Sequence, residues 1–124
     1  MNRIIKDFKV ILSEENQEKF KESVIRLAQV ETTMALEQEE IPLDFFLDYG
    51  TLVSSFFNMY HGQVRMGKGI SYISFHNRLE HLQEISVIMR GKENESVKLI
   101  GKKLKYIYLL MSDITKHTTI GNLP

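Results

Sequence analysis

The side chains best able to do chemistry in this sequence are its four histidines, His61, His76, His81 and His117, and the carboxylates spaced to meet them. His81 and Glu84 stand three residues apart and His76 and Glu80 four, so each pair shares a helix face. A di-iron carboxylate site needs Glu-x-x-His on two helices and a Glu from each of two others. Here the order is reversed and there is no second copy. The pattern His-Glu-x-x-His is absent, and with 0 cysteines no thiolate is on hand for zinc. The pairs read as a solvated, ion-paired helix face, and neither metal nor cofactor is assigned. Asp113 and His117 form an end-of-helix charge pair to which no serine is tied, and no serine sits in a Gly-x-Ser-x-Gly elbow. Arg78 and His81 are closer together than the Arg-to-His gap of helical-bundle ribonucleases, so that activity is not carried over. No catalytic residue is assigned, and the chain reads as a non-enzyme.

Binding gives more to work with. Gly67 and Gly69 bracket Lys68, but neither a Walker loop nor a dinucleotide fingerprint surrounds them. Arg65 and Lys68 stand in a glycine-rich loop, where they are either solvated connector charges or contacts for a phosphate or an acidic partner. Charge is unevenly spread. Residues 27–64 carry six acids and no Lys or Arg, whereas residues 65–116 carry ten basic residues against five acids. Lys98, Lys102 and Lys105 recur at helical spacing, with Lys103 and Tyr106 beside them. Such a stripe can track phosphates, or it can be a solvated face that balances the acidic part of the fold.

The third candidate is apolar. Phe45, Phe46, Tyr49, Phe56, Phe57 and Tyr60 place six aromatics in sixteen residues, more than one core face of a helix obviously needs. They are read as a shared resource, partly core and partly an interface with a second copy or another protein.

The elements that must position these residues are helical. Ser13 is an N-cap, followed by Glu14, Glu15 and Glu18 at the positive end of a helix dipole. Apolar spacing carries that helix over 14–38, with Pro42 as its stop and as the start of the next helix, 43–60. In 43–60 the polar residues Asp44, Asp48, Thr51, Ser55 and Asn58 form one stripe. Gly62, Gly67 and Gly69 predict a loop or distorted turn over 61–71. A third helix spans 71–90, with a short strand near 69–75 as the competing reading and Gly91 as a left-handed stop. The last helix repeats Val97, Ile100, Leu104, Ile107, Tyr108, Met111 and Ile114, and Gly101 interrupts it where a neighbour could approach closely. Residues 4–12 alternate imperfectly and fit a strand or a helical lead-in equally, and 118–124 read as a frayed tail.

Length and composition agree with this. The 124 residues suffice for one domain, 1–124, and not for two separate cores. With 43% hydrophobic and 26% charged residues, and Lys+Arg equal to Asp+Glu at 16 each, the chain is neither disordered nor histone-like. Charges break up the N-terminal apolar residues, so a secretory signal is not expected, and a soluble cytoplasmic protein with no membrane partner is. The expected fold is all-α, a compact bundle of four main helices with a short N-terminal strand or extra helix. The expected function is a protein-interaction or regulatory module, self-associating through the aromatic helix. The alternative is a nucleic-acid-binding accessory subunit that uses the basic face of the last helix.

Overall fold

Ser13 acts as the sequence predicts. Its Oγ accepts the Asn16 N–H at 3.2 Å and opens α1, Glu14–Leu36. The computed structural model describes residues 7–37 and 39–116. Three further helices follow: α2, Leu43–Met59; α3, Tyr72–Arg90; and α4, Glu95–Lys116. A five-residue π-helical turn, Tyr60–Val64, extends α2. The expected bundle of four helices is the one observed.

Contacts along the helices fix their directions. Tyr49 of α2 meets Leu27 of α1, and Phe56 and Tyr60 meet Phe20, so residue numbers rise along one helix as they fall along the other. The same holds for α2 and α3, where Asp48 meets His81 and Ser55 meets Arg78. It holds again for α4 and α1, where Asn16 donates to the Ile114 carbonyl at 3.2 Å and Arg26 lies over Tyr106. The short link after Arg90 folds α4 back on α3. The result is an up-down-up-down ring in which each helix is antiparallel to its two neighbours.

The apolar stripes face into this ring. Phe20, Val24, Leu27 and Met34 of α1 meet Tyr49, Phe56, Phe75, Leu82, Ile100, Leu104 and Met111 in one core. At its centre Phe20 stands 6.3 Å from Phe56, 5.8 Å from Phe75 and 6.2 Å from Tyr60, ring to ring. Aromatic pairs at such spacings add to what burial alone contributes.

The crossing of α3 and α4 is unusually close. A Cβ on Gly101 would fall 2.7 Å from both the backbone N and the Cγ of Arg90. The buried Ser86 hydroxyl donates to the Gly101 carbonyl at 2.8 Å and locks the register of the pair.

Several boundaries differ from the sequence reading. Of the lead-in 4–12, residues 4–6 lie outside the described residues and the described part holds a two-residue strand: β1, Lys9–Val10, pairs antiparallel with β2, Ile70–Ser71, with Lys9 opposite Ser71 and Val10 opposite Ile70. Both readings of residues 69–75 thus hold in part, because the strand ends where the Ser71 side chain caps α3 by accepting the Ser74 N–H. Gly67 and Gly69 take φ of 68° and 78°, the left-handed backbone that turns the chain into β2. The first helix ends at Leu36 rather than 38, capped at Glu37, and Gln38 is outside the described residues. The second helix ends at Met59 rather than 60, and part of the expected loop or distorted turn is the π turn. Gly91 is not a left-handed stop. Its φ is −87°, its N–H bonds Val87 and Ile88 carbonyls as a continuing turn would, and the Asn94 side chain starts α4 by accepting the Val97 N–H. Residues 118–124, read as a frayed tail, fall outside the described residues.

Asp7 ties the N-terminal arm to the start of α3. One carboxylate oxygen accepts from the Ser71 hydroxyl and the other from the Ile73 N–H at 3.1 Å. The Ser71 bond first, and the Ile73 bond second, hold the carboxyl below its ordinary range. A depressed folded-state value means the tether stabilises the fold above the unfolded carboxyl's range and is lost as pH falls through the folded value. Asp7→Asn should therefore speed hydrogen exchange at the Ile73 amide at neutral pH and abolish the acid dependence of its protection.

Gly101→Val should destabilise the protein by about 1–3 kcal/mol, because the added methyls meet α3 backbone rather than a flexible side-chain tip. Denaturant unfolding should show a lower midpoint with an unchanged slope.

Candidate functional site

Three surfaces could do something beyond holding the fold. They are a groove between α1 and α4, a groove between α2 and α3, and the outer face of α2.

On α1 the residues Arg26, Gln29, Val30 and Thr33 recur at i, i+3, i+4, i+7 and present one face to α4. Lys102, Lys103, Tyr106 and Ile107 answer them, and together they line a groove of about 390 Å³. Its apolar floor is Val30 and Ile107, and its walls carry three cations and no carboxylate. Arg26 donates from Nε and Nη2 to Glu22 at 3.2 and 2.9 Å, and this bond raises its pKa further above the ordinary arginine value. Its guanidinium carbon lies 5.7 Å from the centre of the Tyr106 ring, a cation–π distance. Lys102 and Lys103 are exposed and make no ion pair among the described residues.

The basic residues expected to act together are therefore divided. Lys102 and Lys103 enter the groove. Lys98 pairs with Glu95 at 3.7 Å, and neither it nor Lys105 lines the groove. Arg65 and Lys68 are exposed beyond the π turn, at the far end of α2, and do not join the lysines of α4 in the groove.

Between α2 and α3 two polar stripes face each other: Asp48, Thr51 and Ser55 on one side, Asn77, Arg78 and His81 on the other, around a groove of about 290 Å³. His81 Nε2 lies 2.7 Å from Asp48 Oδ2. Arg78 donates to the Ser55 hydroxyl and, from Nη1, to the Ser74 carbonyl at 3.0 Å. His81 thus takes Asp48 rather than the expected Glu84, whereas His76 and Glu80 pair as the spacing predicts, at 3.0 Å. Asp113 is described and His117 is not, so their expected pair lies outside the described residues. Among the described residues no cluster of three or more His, Cys, Asp or Glu could hold a metal ion.

The aromatic interface of α2 needs correction. Tyr49 and Phe56 are fully buried, and Phe45, Phe46 and Tyr60 are half-buried against the core. Four helices of this size enclose most of the ring surface, because Phe20 and Phe75 reach between α1 and α3 to cover it. Of the six, Phe57 alone is exposed, at 48%. It lies on the side of α2 that also exposes Leu43 at 66% and Leu47 at 57%. Those leucines, and Arg26, Gln29 and Thr33 of α1, were not singled out from the sequence. The i, i+3, i+4, i+7 spacing on α1 was available as a signal, but nothing in it names the neighbour that completes the groove.

Compared with family models, curated proteins and solved structures, the chain matches none. No helix among the described residues is long and apolar enough to cross a membrane.

Tyr49 carries a test of its new place. Its hydroxyl donates to the Leu27 carbonyl at 2.8 Å, and burial first, then the charge of Glu31, pushes its pKa far above the ordinary tyrosine range. In the unfolded chain it ionises near the ordinary value of 10.0, so stability falls as pH rises past that point. Ultraviolet phenolate absorbance should show one tyrosine that ionises only with alkaline unfolding. Tyr49→Phe should remove that step and cost about 1 kcal/mol.

Proposed function

We propose that the protein is a non-enzymatic interaction module that pairs with a second copy of itself through the outer face of α2. One observation carries this reading: Leu43, Leu47 and Phe57 share one side of a helix whose other side is core, and they are 66%, 57% and 48% exposed. Single exposed apolar residues are ordinary, but three on one helix face form a surface that association would cover. Ser54, small and exposed, lies between them in the helical projection and leaves room for a second helix, whereas Gly50 beside it is already faced by the Glu31 carboxylate of α1.

Charge supplies both the partner and the orientation. Glu39, Glu40 and Asp44 stand exposed at the N-terminal end of α2, and Arg65 and Lys68 stand exposed beyond its C-terminal end. A parallel pair would set like charges together. An antiparallel pair sets the acidic end of each copy against the basic end of the other, so the surface complements itself. In this reading Arg65 and Lys68 meet an acidic partner, which is another copy of this chain.

Sedimentation of the native protein should show a dimer. Leu47→Glu should shift it to monomer with the circular dichroism spectrum unchanged, since the residue is exposed. Arg65→Glu with Lys68→Glu should weaken association several-fold, with each exposed pair contributing up to about 1 kcal/mol. Adding Glu39→Lys and Glu40→Lys to that variant should restore the dimer. A native monomer at high concentration overturns the reading, and so does a failure of the double reversal to rescue.

A further inference from the structure

The groove between α1 and α4 lies on a different part of the ring from the outer face of α2, and its chemistry stands independently of self-association. We infer that it binds a nucleotide unit, with the phosphate on Lys102, Lys103 and Arg26 and the base against Tyr106.

The argument begins with charge. Two lysines without an ion pair among the described residues, and an arginine paired with Glu22 one turn away, converge on one groove that no carboxylate lines. Like charges gathered this way repel one another, and an anion relieves the repulsion. Glu22 offsets part of the Arg26 charge, which leaves Lys102 and Lys103 as the principal anion contacts. The guanidinium of Arg26 still has donors left over from its bonds to Glu22.

Shape narrows the class of anion. A bare ion needs only a few donors, whereas the groove encloses about 390 Å³ and has an apolar floor at Val30 and Ile107. Tyr106 is 53% exposed, so part of its ring surface remains free for a flat partner beside Arg26. Arg26 over the same ring adds a planar cation on which a base can also stack. Gln29 and Thr33 bring hydrogen-bonding groups to the α1 wall, where the edge of a base or a sugar hydroxyl would lie. Phosphate charge beside a planar ring is the chemistry that fits all of these groups together. Free nucleotides offer it once, and single-stranded nucleic acid offers it repeatedly. A duplex keeps its bases stacked on each other and cannot present one to Tyr106.

The test is fluorescence anisotropy and calorimetry on the native protein at about 50 mM salt, where phosphate contacts are strong. The probes are AMP, inorganic phosphate, a labelled ten-residue oligo-dT, oligo-U of the same length, and a DNA duplex. Expected results are binding of AMP or a single strand, weaker binding of inorganic phosphate, and weaker binding of the duplex. For a single strand with three contacts, log K should fall with log salt at a slope of about −2. Lys102→Glu with Lys103→Glu should abolish binding, and Tyr106→Ala should weaken it about tenfold through lost stacking. Lys98→Glu with Lys105→Glu, outside the groove, should change it by less than about threefold, because their contribution is only long-range and screened. Thermal melting of each variant establishes that it is folded.

AMP bound as tightly as the oligomers identifies a free nucleotide as the ligand, and much tighter oligomer binding identifies a strand. No binding of any probe by the folded native protein overturns the inference. So does equal loss from the Lys98 and Lys105 reversal, which would mean a diffuse basic face, or a duplex bound as tightly as the strand. Each of these failures leaves the dimer measurement on α2 untouched.

Discussion

A methyl group at position 101 would stand 2.7 Å from the backbone nitrogen of Arg90, so α3 and α4 meet at this distance because residue 101 has no side chain. Glycine in a helix interior costs up to about 1 kcal/mol relative to alanine, and the close crossing is what offsets that cost. The Ser86 hydroxyl on the Gly101 carbonyl then allows one register between the two helices. Everything further along α4 inherits that register. With Gly101 turned to α3, Ile107 faces the core, and Lys102, Lys103 and Tyr106 come round to α1. The basic groove is thus a consequence of where α4 packs on the opposite side.

The aromatic cluster plays the corresponding part for α2. Phe20, Phe56 and Phe75 contact one another, and Tyr60 closes on Phe20 from the π turn. These contacts set the rotation of α2 about its axis. Two surfaces follow from that rotation. The polar stripe of Asp48, Thr51 and Ser55 must face Arg78 and His81, because those positions flank the buried face on the α3 side. Leu43, Leu47 and Phe57 must face out, because they lie on the side away from Tyr49 and Phe56. Exposure of these apolar groups is the remainder after a strongly apolar helix has satisfied its core. Polar contacts on one flank and a bare apolar face on another come from a single choice of packing.

The sequence held the elements clearly and their mutual arrangement poorly. Ser13, Pro42 and the 97–114 repeat mark helix positions through local physics: a hydroxyl that reaches free amides, a ring that fixes φ, a period of 3.6. Such signals need no partner. Gly101 was legible as a point of close approach for the same reason. Tyr49 and Phe56 were misjudged as interface candidates because burial is settled by three other helices, and periodicity along α2 does not say how wide a face they cover. His81 choosing Asp48 over Glu84 is the same failure. Spacing along one helix offers Glu84, but the rotation of α2 brings Asp48 to 2.7 Å. The π turn falls under the distorted-turn alternative over 61–71, because Gly62 marks a break in regular helix without saying whether the backbone widens or unwinds there. The basic stripe was half right: spacing grouped Lys98, Lys102 and Lys105, whereas the groove takes Lys102 with Lys103 and completes itself from α1.

In the ring of four helices α2 and α4 are diagonal, since α2 neighbours α1 and α3 and α4 does the same. A surface on the outer side of α2 and a groove between α4 and α1 therefore point in different directions. A partner laid along Leu43, Leu47 and Phe57 approaches the corner opposite α4, and a ligand on Lys102 and Lys103 approaches α4 itself. The division of charge along the chain maps onto that geometry. The acidic residues around the start of α2 stand at one corner and the lysines of α4 at the other, so they do not neutralise each other at short range. Zero net charge in this protein conceals an uneven distribution of charged residues. An anion attracted to the α1–α4 groove would be kept off the acidic end of α2 by the same charges that would orient a second copy there.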